Sequence, residues 1–223
     1  MKHLLGVLLG WALATTGCCL HKEPAAPVPR MDPVQAAVAR TVKVEIDCPG
    51  EDRDTGGTGV RYSGRLVVTA AHVIDNVEGC DIALVDEDGR ESALYLDRSD
   101  DLDLGLLLTS GPAQPIVGLA RAHLGMEVLS VGYPVQLTRR EGAPKRPLCV
   151  TRGVLSVLNV EPGMHRVTAP VFYGNSGGGV WDMHGNLVGI AVEIRFFGGS
   201  YVSDHSRIVP APLVARFVED ALR

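Results

Sequence analysis

The sequence predicts an all-β fold built from many short strands, and three observations carry that expectation. Apolar residues recur with a period of two, or in short unbroken runs bounded by turn residues, as half-buried and buried strands require. The 223 residues include 26 Gly and 14 Pro, which favour frequent turns over long helices. Helical patterning is confined to the two ends of the chain. Hydrophobic residues make up 46% of the chain but aromatic ones only 5%, so the core must be built from Val, Leu and Ala. A formal net charge of −5 argues against nucleic acid as a main partner.

Residues 1–18 read as an export signal that lies outside the fold. Lys2 and His3 form a short polar start, Leu4 to Leu13 are almost wholly apolar, and Thr15-Thr16-Gly17-Cys18 follows. The apolar run is too short to span a bilayer comfortably as a permanent anchor. Small residues before Cys18 resemble a bacterial lipoprotein signal, in which cleavage leaves a lipidated cysteine as the new first residue. Thr15 stands where that signal usually has Leu. Ordinary signal-peptide cleavage and an uncleaved anchor are the alternatives. Each of these readings exports the chain to the cell envelope, either lipid-anchored to a membrane or else periplasmic or secreted. Residues 19–33 contain Pro24, Pro27, Pro29 and Pro33 and read as an extended, semi-rigid tether. Residues 34–223 form the domain. Asp32-Pro33 reads as an N-cap with Pro at the first helical position, opening a short helix through Ala39.

Val42, Val44 and Ile46 alternate with Lys43, Glu45 and Asp47, a half-buried strand. Thr55-Gly56-Gly57-Thr58-Gly59-Val60 reads as a turn leading into a strand, and Leu66 to Thr69 as a strand ending on Ala70-Ala71-His72. Ile82 to Val85 and Ala93 to Leu96 flank the turn Asp88-Gly89. Leu104 to Leu108, Val128 to Val131, Val150 to Leu158, Arg166 to Val171 and Leu187 to Val192 are further strands, and Val209 to Leu222 is an amphipathic terminal helix. Short strands at this spacing make a barrel or a sandwich.

The stretch Tyr173-Gly174-Asn175-Ser176-Gly177-Gly178-Gly179-Val180 sets one hydroxyl among four glycines. Glycine permits backbone conformations that a Cβ forbids. A Ser in such a turn can expose its Oγ while its own N–H and that of Gly174 face the space an oxyanion would fill. The plainer reading is a glycine-rich turn between strands. Upstream, His72 stands where an apolar strand emerges, and Asp103 stands at the start of the buried-looking Leu104 to Leu108. Asp103 can there accept from an imidazole Nδ1–H, whereas Asp100 and Asp101 read as solvated loop charges. Each motif alone is weak, and a lone His at a strand end is commonly structural. Together, in the order His, Asp, Ser, they form a constellation for nucleophilic catalysis.

Thr69-Ala70-Ala71-His72, Asp103-Leu104-Gly105-Leu106-Leu107 and Gly174-Asn175-Ser176-Gly177-Gly178 resemble the three signatures of trypsin-like serine peptidases. The short intervals and the Asn before the Ser look most like the bacterial Deg/HtrA branch. The resemblance covers Val38 to Arg223. It implies two six-stranded antiparallel β-barrels, with a short N-terminal and a C-terminal helix and the site between the barrels. It implies Ser176 as nucleophile, His72 as general acid/base, Asp103 as the orienter of the imidazole, and the N–H groups of Gly174 and Ser176 as oxyanion hole. The reaction would be peptide hydrolysis through an acyl-enzyme, on a protein or peptide substrate and without a cofactor. A catalytically silent trypsin-like lipoprotein that serves as a binding module is the alternative.

Asn175 replaces the Asp that digestive members pair with a freed amino terminus, so activation by propeptide cleavage is not expected. Deg proteases carry PDZ domains after the peptidase unit; here the terminal helix ends the sequence, and no such appendage is expected. Gly179 stands where the family commonly has Pro, a change expected to be minor. By the same resemblance, Pro170, Val192, Glu193, Ile194 and Ser206 line the pocket for the residue before the scissile bond. Pro170 stands where a trypsin-like pocket carries its Asp, and Ser206 where deep pockets have Gly, so a shallow apolar pocket is expected to favour Ala, Val or Leu. His205 and Arg207 turned inward would instead favour an acidic residue. With Cys18 set aside, Cys48 and Cys80 are the candidate disulfide, and Cys149 has no obvious partner. The His residues show no paired ligand spacing, so no metal site is expected. The basic loop Arg139 to Pro147 reads as solvated, with contact to anionic lipid or substrate as the alternative.

Overall fold

Asp32 opens the helix as its sequence context predicts: its carboxylate accepts from the N–H groups of Val34 and Gln35, and Pro33 begins α1 (Pro33–Val38). The structure, a computed structural model, describes residues 31–49, 55–135, 146–161, 163–197 and 200–223. Among these residues, β1 (Thr41–Asp47), β2 (Thr55–Ser63), β3 (Leu66–Thr69), β4 (Asp81–Asp86), β5 (Gly89–Ser99) and β6 (Leu104–Thr109) close a first barrel. Its strand order is β1-β2-β3-β6-β5-β4. A second barrel contains β7 (Glu127–Gly132), β8 (Cys149–Glu161), β9 (Met164–Val167), β10 (Gly179–Asp182), β11 (Leu187–Phe197) and β12 (Ser200–Pro210), ordered β10-β11-β12-β9-β8-β7. All the ladders within both barrels are antiparallel, so each barrel closes without a free edge. The chain ends in α2 (Ala211–Ala221).

The period-two pattern of β1 places Val42, Val44 and Ile46 in the core, while Lys43 and Glu45 pair on the outside. Leu104, Leu106 and Leu107 of β6 and Val67 and Val68 of β3 are wholly buried with them. The second barrel is filled by Val128, Leu155, Val167, Val180, Val188 and Ile208. Helix α2 buries Val214, Phe217 and Val218, spaced as i, i+3 and i+4, and touches β11 and β12 of one barrel and β5 and β6 of the other. It therefore clamps the two barrels together.

Three stretches depart from the sequence reading. Thr55 to Val60 is strand, not turn, and pairs with β1 from Thr55↔Ile46 to Val60↔Thr41. The glycine at position 57 is there for close approach: a Cβ would lie 2.7 Å from the carbonyl oxygen of Ser176. The strand expected over Arg166 to Val171 ends at Val167. Ala169 and Val171 keep the alternation and are buried, but the chain crosses Gly153 so tightly that a Cβ there would stand 2.6 Å from Ala169 Cα. Finally, Gly179–Asp182 forms β10 between β7 and β11, so the last two residues of the glycine-rich stretch, Gly179 and Val180, are strand and not turn.

A disulfide joins Cys48, just after β1, to Cys80, just before β4. Closing a loop of this size stabilises a fold by about 2–4 kcal/mol. It links the end of β1 to the segment that follows the 3₁₀ turn Ala71–Ile74.

On β9, His165 is buried opposite Ile208, and its Nδ1 accepts from the Asn159 N–H at 3.3 Å. Burial holds its imidazole below the ordinary value of 6.5. The folded state thus favours the neutral ring. As pH falls through 6.5 the unfolded chain takes up the proton first, so stability is lost from that pH downward and retained above it. Thermal unfolding of wild type should therefore shift to lower temperature below pH 6.5 more steeply than unfolding of His165→Gln. Parallel pH profiles for the two proteins would exclude this role.

Candidate active site

Strand β3 runs through extended Ala70 into the 3₁₀ turn Ala71–Ile74. Ala71, Val73 and Ile74 are buried and fix the turn, which leaves His72 exposed at its surface. Asp103 precedes β6 with a left-handed φ of 51°, so its backbone and side chain both face the turn. Its carbonyl accepts from the Ala71 N–H at 3.1 Å and its Oδ1 from the His72 N–H at 3.0 Å. Oδ2 lies 2.8 Å from His72 Nδ1. A carboxylate can only accept, so Nδ1 carries the proton and Nε2 is left as the acceptor. Asp100 and Asp101 are exposed, and Asp100 pairs with Arg98, which also reaches Asp75 at 2.9 Å. That guanidinium holds the Asp75 carboxyl below the usual carboxylate range.

Ser176 sits in a turn whose glycines are conformationally required. Gly174 and Gly177 have φ of 94° and 85°, where a side chain would be strained. The turn is knitted by Asn175 N–H to Phe172 O at 2.9 Å and Gly178 N–H to Asn175 O at 2.8 Å. Gly177 N–H donates to Ala191 O and Ala191 N–H to Gly178 O, which fastens the turn to β11. Three carbonyls are drawn away from the turn. Tyr173 O accepts from Val135 N–H at 2.7 Å, Gly174 O from Thr58 Oγ1 at 2.7 Å, and Ser176 O from Thr58 N–H at 2.8 Å. Among the described residues, the N–H groups of Gly174 and Ser176 have no acceptor. His72, Ser176, Gly174, Tyr173, Val73 and Val135 line one cleft of about 480 Å³. No hydrogen bond joins His72 to Ser176 among the described residues, and such contacts commonly tighten only when substrate binds.

Of the pocket residues, Val192 and Ser206 are buried in β11 and β12, and Pro170 is half-buried with its carbonyl accepting from Thr151 Oγ1 at 2.7 Å. Glu193 and Ile194 continue β11, and the side chains of 193–205 lie outside the described residues. So do Cys18 and the segment 136–145 of the basic loop. Arg146 corrects the reading of that loop as solvated: it is 3% exposed. Its Nη2 reaches Gly57 O at 2.8 Å and its Nε reaches Tyr133 O at 3.2 Å. Nothing local distinguishes Arg146 from its basic neighbours. Gly179 lies under the wholly buried Trp181, whose indole nitrogen would stand 2.4 Å from a Cβ at that position.

A family model of the trypsin-like peptidase domain matches residues 57–190. A serine protease DegP homolog of Plasmodium falciparum is 29% identical over 179 residues, 74% of this chain and 19% of that protein. Serine endoprotease DegS of Escherichia coli is 32% identical over 149 residues, 61% of this chain and 39% of that protein. The chain thus matches 19% to 39% of the length of these curated relatives. Among solved structures, the HtrA-type protease AlgW with decapeptide superposes with a TM-score of 0.71 at 20% identity, covering 87% of this chain and 68% of that one. This last likeness shows the double-barrel fold. With the family model matching more than half of its residues, the chain belongs to the trypsin-like peptidase domain family.

Proposed function

We propose that this domain is a serine endopeptidase working through an acyl-enzyme. The observation that carries the reading is one cleft holding Ser176, an imidazole oriented by Asp103, and the N–H groups of Gly174 and Ser176, which have no acceptor among the described residues. Ser176 Oγ attacks the carbonyl carbon of the scissile bond while His72 Nε2 takes its proton. The oxyanion that forms is held by the N–H groups of Gly174 and Ser176. His72 then gives the proton to the departing amine, and a water molecule activated by the same nitrogen hydrolyses the Ser176 ester. Asp103 remains ionised throughout and stabilises the imidazolium.

Pro170, Val192, Glu193, Ile194 and Ser206 form the pocket for the residue before the scissile bond in this reading. Pro170 offers no anion to Lys or Arg there, and apolar burial, at about 0.8 kcal/mol per methylene, selects small or medium apolar residues. Upstream, Cys18 carries a lipid and residues 19–33 tether the domain to the cell envelope. The basis is the apolar stretch that ends in Thr15-Thr16-Gly17-Cys18 and the proline-rich run after it. DegQ of Escherichia coli is named a periplasmic endoprotease, which fits an exported setting.

A fluorophosphonate probe should label wild type and not Ser176→Ala, with both variants melting alike. Folded wild type that neither labels nor cleaves would favour the silent binding module. Asp103→Asn should keep its fold and lose about 10⁴-fold in kcat, because the amide favours the wrong imidazole tautomer. Near-normal turnover in that variant would move the orienting role elsewhere. Mass-spectrometric profiling of a digested denatured proteome should show cuts after Ala, Val or Leu. Dominant cuts after Lys or Arg would mean the pocket is misplaced, and cuts after Asp or Glu would point to His205 or Arg207.

Metabolic labelling with an alkynyl fatty acid should mark wild type and not Cys18→Ser. A mature, unlabelled protein beginning at another residue would refute the lipid anchor.

A further inference from the structure

Arg146 is a buried cation that the proposed chemistry does not use. It lies between the barrels with a left-handed φ of 64°, and its fork meets three carbonyls on three different segments. Nη2 donates to Gly57 O on β2 at 2.8 Å and makes a longer contact of 3.4 Å with Gly174 O in the nucleophile turn. Nε donates to Tyr133 O, just past β7, at 3.2 Å. A guanidinium presents donors in a rigid plane, so it can fix several acceptors relative to one another where a lysine could not.

Two routes lead from this guanidinium to the N–H of Gly174. The direct one is Gly174 O, which Arg146 and Thr58 Oγ1 hold on the far side of the turn. The indirect one runs through Tyr133: with its carbonyl anchored, the segment reaching Val135 is placed so that the Val135 N–H takes Tyr173 O at 2.7 Å. Tyr173 O and Gly174 N–H belong to one planar peptide and point in opposite directions. Holding that oxygen therefore aims the N–H the other way. Gly174 has no Cβ to resist rotation of the peptides beside it, so these hydrogen bonds must supply the constraint.

We propose that Arg146 is a positioning residue for the oxyanion hole: a built-in, permanently charged clamp that fixes the peptides on either side of Gly174. The inference rests on the peptidase reading above. Asn175, the neutral residue before the nucleophile, cannot draw an amino terminus into the seam, and Arg146 supplies a cation there from within the chain.

The test compares wild type, Arg146→Ala and Arg146→Lys on a chromogenic peptide and with a peptidyl boronic acid, which places an oxygen in the oxyanion hole. Melting curves first show which variants are folded. Expected in folded variants is a fall in kcat of about 10²–10³-fold, the scale of losing one oxyanion donor. KM should stay within about threefold, since ground-state binding is untouched. Boronate affinity should fall in step with kcat. Ethylguanidinium should restore part of the kcat of Arg146→Ala, and sodium chloride at equal ionic strength should not. If Arg146→Ala does not fold, Arg146→Lys carries the test, because it keeps the charge but cannot span the carbonyls. A folded variant with wild-type kcat and boronate affinity would overturn the proposal, as would losses that merely follow the folded fraction. The wild type separates the two readings. Failure of its Ser176-dependent labelling sinks the peptidase assignment, whereas a labelled wild type with an equally active Arg146 variant sinks only the clamp.

Discussion

Every polar group of Thr58 is engaged at the seam between the two barrels, and the nucleophile turn depends on that residue. Its N–H holds Ser176 O at 2.8 Å, and its Oγ1 donates to Gly174 O at 2.7 Å while accepting from Tyr133 N–H at 3.0 Å. Its own carbonyl accepts from Thr69 Oγ1 at 2.7 Å, which ties β2 to the strand that delivers His72. One buried side chain thus relates the two halves of the cleft. The flanking glycines make the approach possible, since a Cβ on Gly57 would press on Ser176 O. Buried hydrogen bonds are each worth only about 0.5–1.5 kcal/mol net, but leaving one partner unmet costs about 1–3 kcal/mol. The seam is therefore specified more by the penalty for misalignment than by the gain from pairing.

The barrels and the seam have different jobs. The interiors are Val, Leu and Ile at full burial, closed on all sides, and they set the stability. Helix α2 and the Cys48–Cys80 disulfide add constraints from outside the barrels, one across both and one between the end of β1 and the segment after the His72 turn. Their effect on the site is to stop the supporting elements from shifting, which matters because a displacement of about 1 Å in a reacting group can cost on the order of 100-fold in rate.

What could be read from the sequence was what is local. Strand alternation in Val42 to Ile46, the apolar runs of β3 and β6, and the cap at Asp32 all rest on residues within a few positions of one another. The triad candidates share this property, because each sits beside a recognisable strand or glycine cluster. The structure then brings His72 and Asp103 within hydrogen-bonding distance and sets Ser176 in the same cleft. Thr58 and Arg146 were illegible for the opposite reason. Thr58 reaches Gly174 across 116 residues and Arg146 reaches Gly57 across 89. Within its own segment, Thr58 looks like one residue of a turn and Arg146 like one more solvated cation. The misreading of Thr55 to Val60 has the same origin, since glycines required for close approach cannot be told locally from glycines required for turning.

Among the described residues, several strained or unpaired groups lie in the nucleophile turn and at the Asp103 junction. Asp103 is held in the left-handed region, and Gly174 and Gly177 occupy it in the nucleophile turn. Asn175 is 1% exposed, yet among the described residues neither of its amide atoms has a hydrogen-bond partner. A non-glycine residue at positive φ costs on the order of 1–3 kcal/mol, and an unmet buried amide a similar amount. Such costs persist only where the surroundings over-determine the local conformation. The closed barrels provide that: their ladders leave β3, β6, β7 and β11 no freedom to relax, and those strands lead directly into, or fasten, the strained residues. An aspartate at position 175 would add a buried charge to this list. The neutral amide avoids that cost, so the turn holds its shape on backbone hydrogen bonds together with those from Thr58 and Arg146.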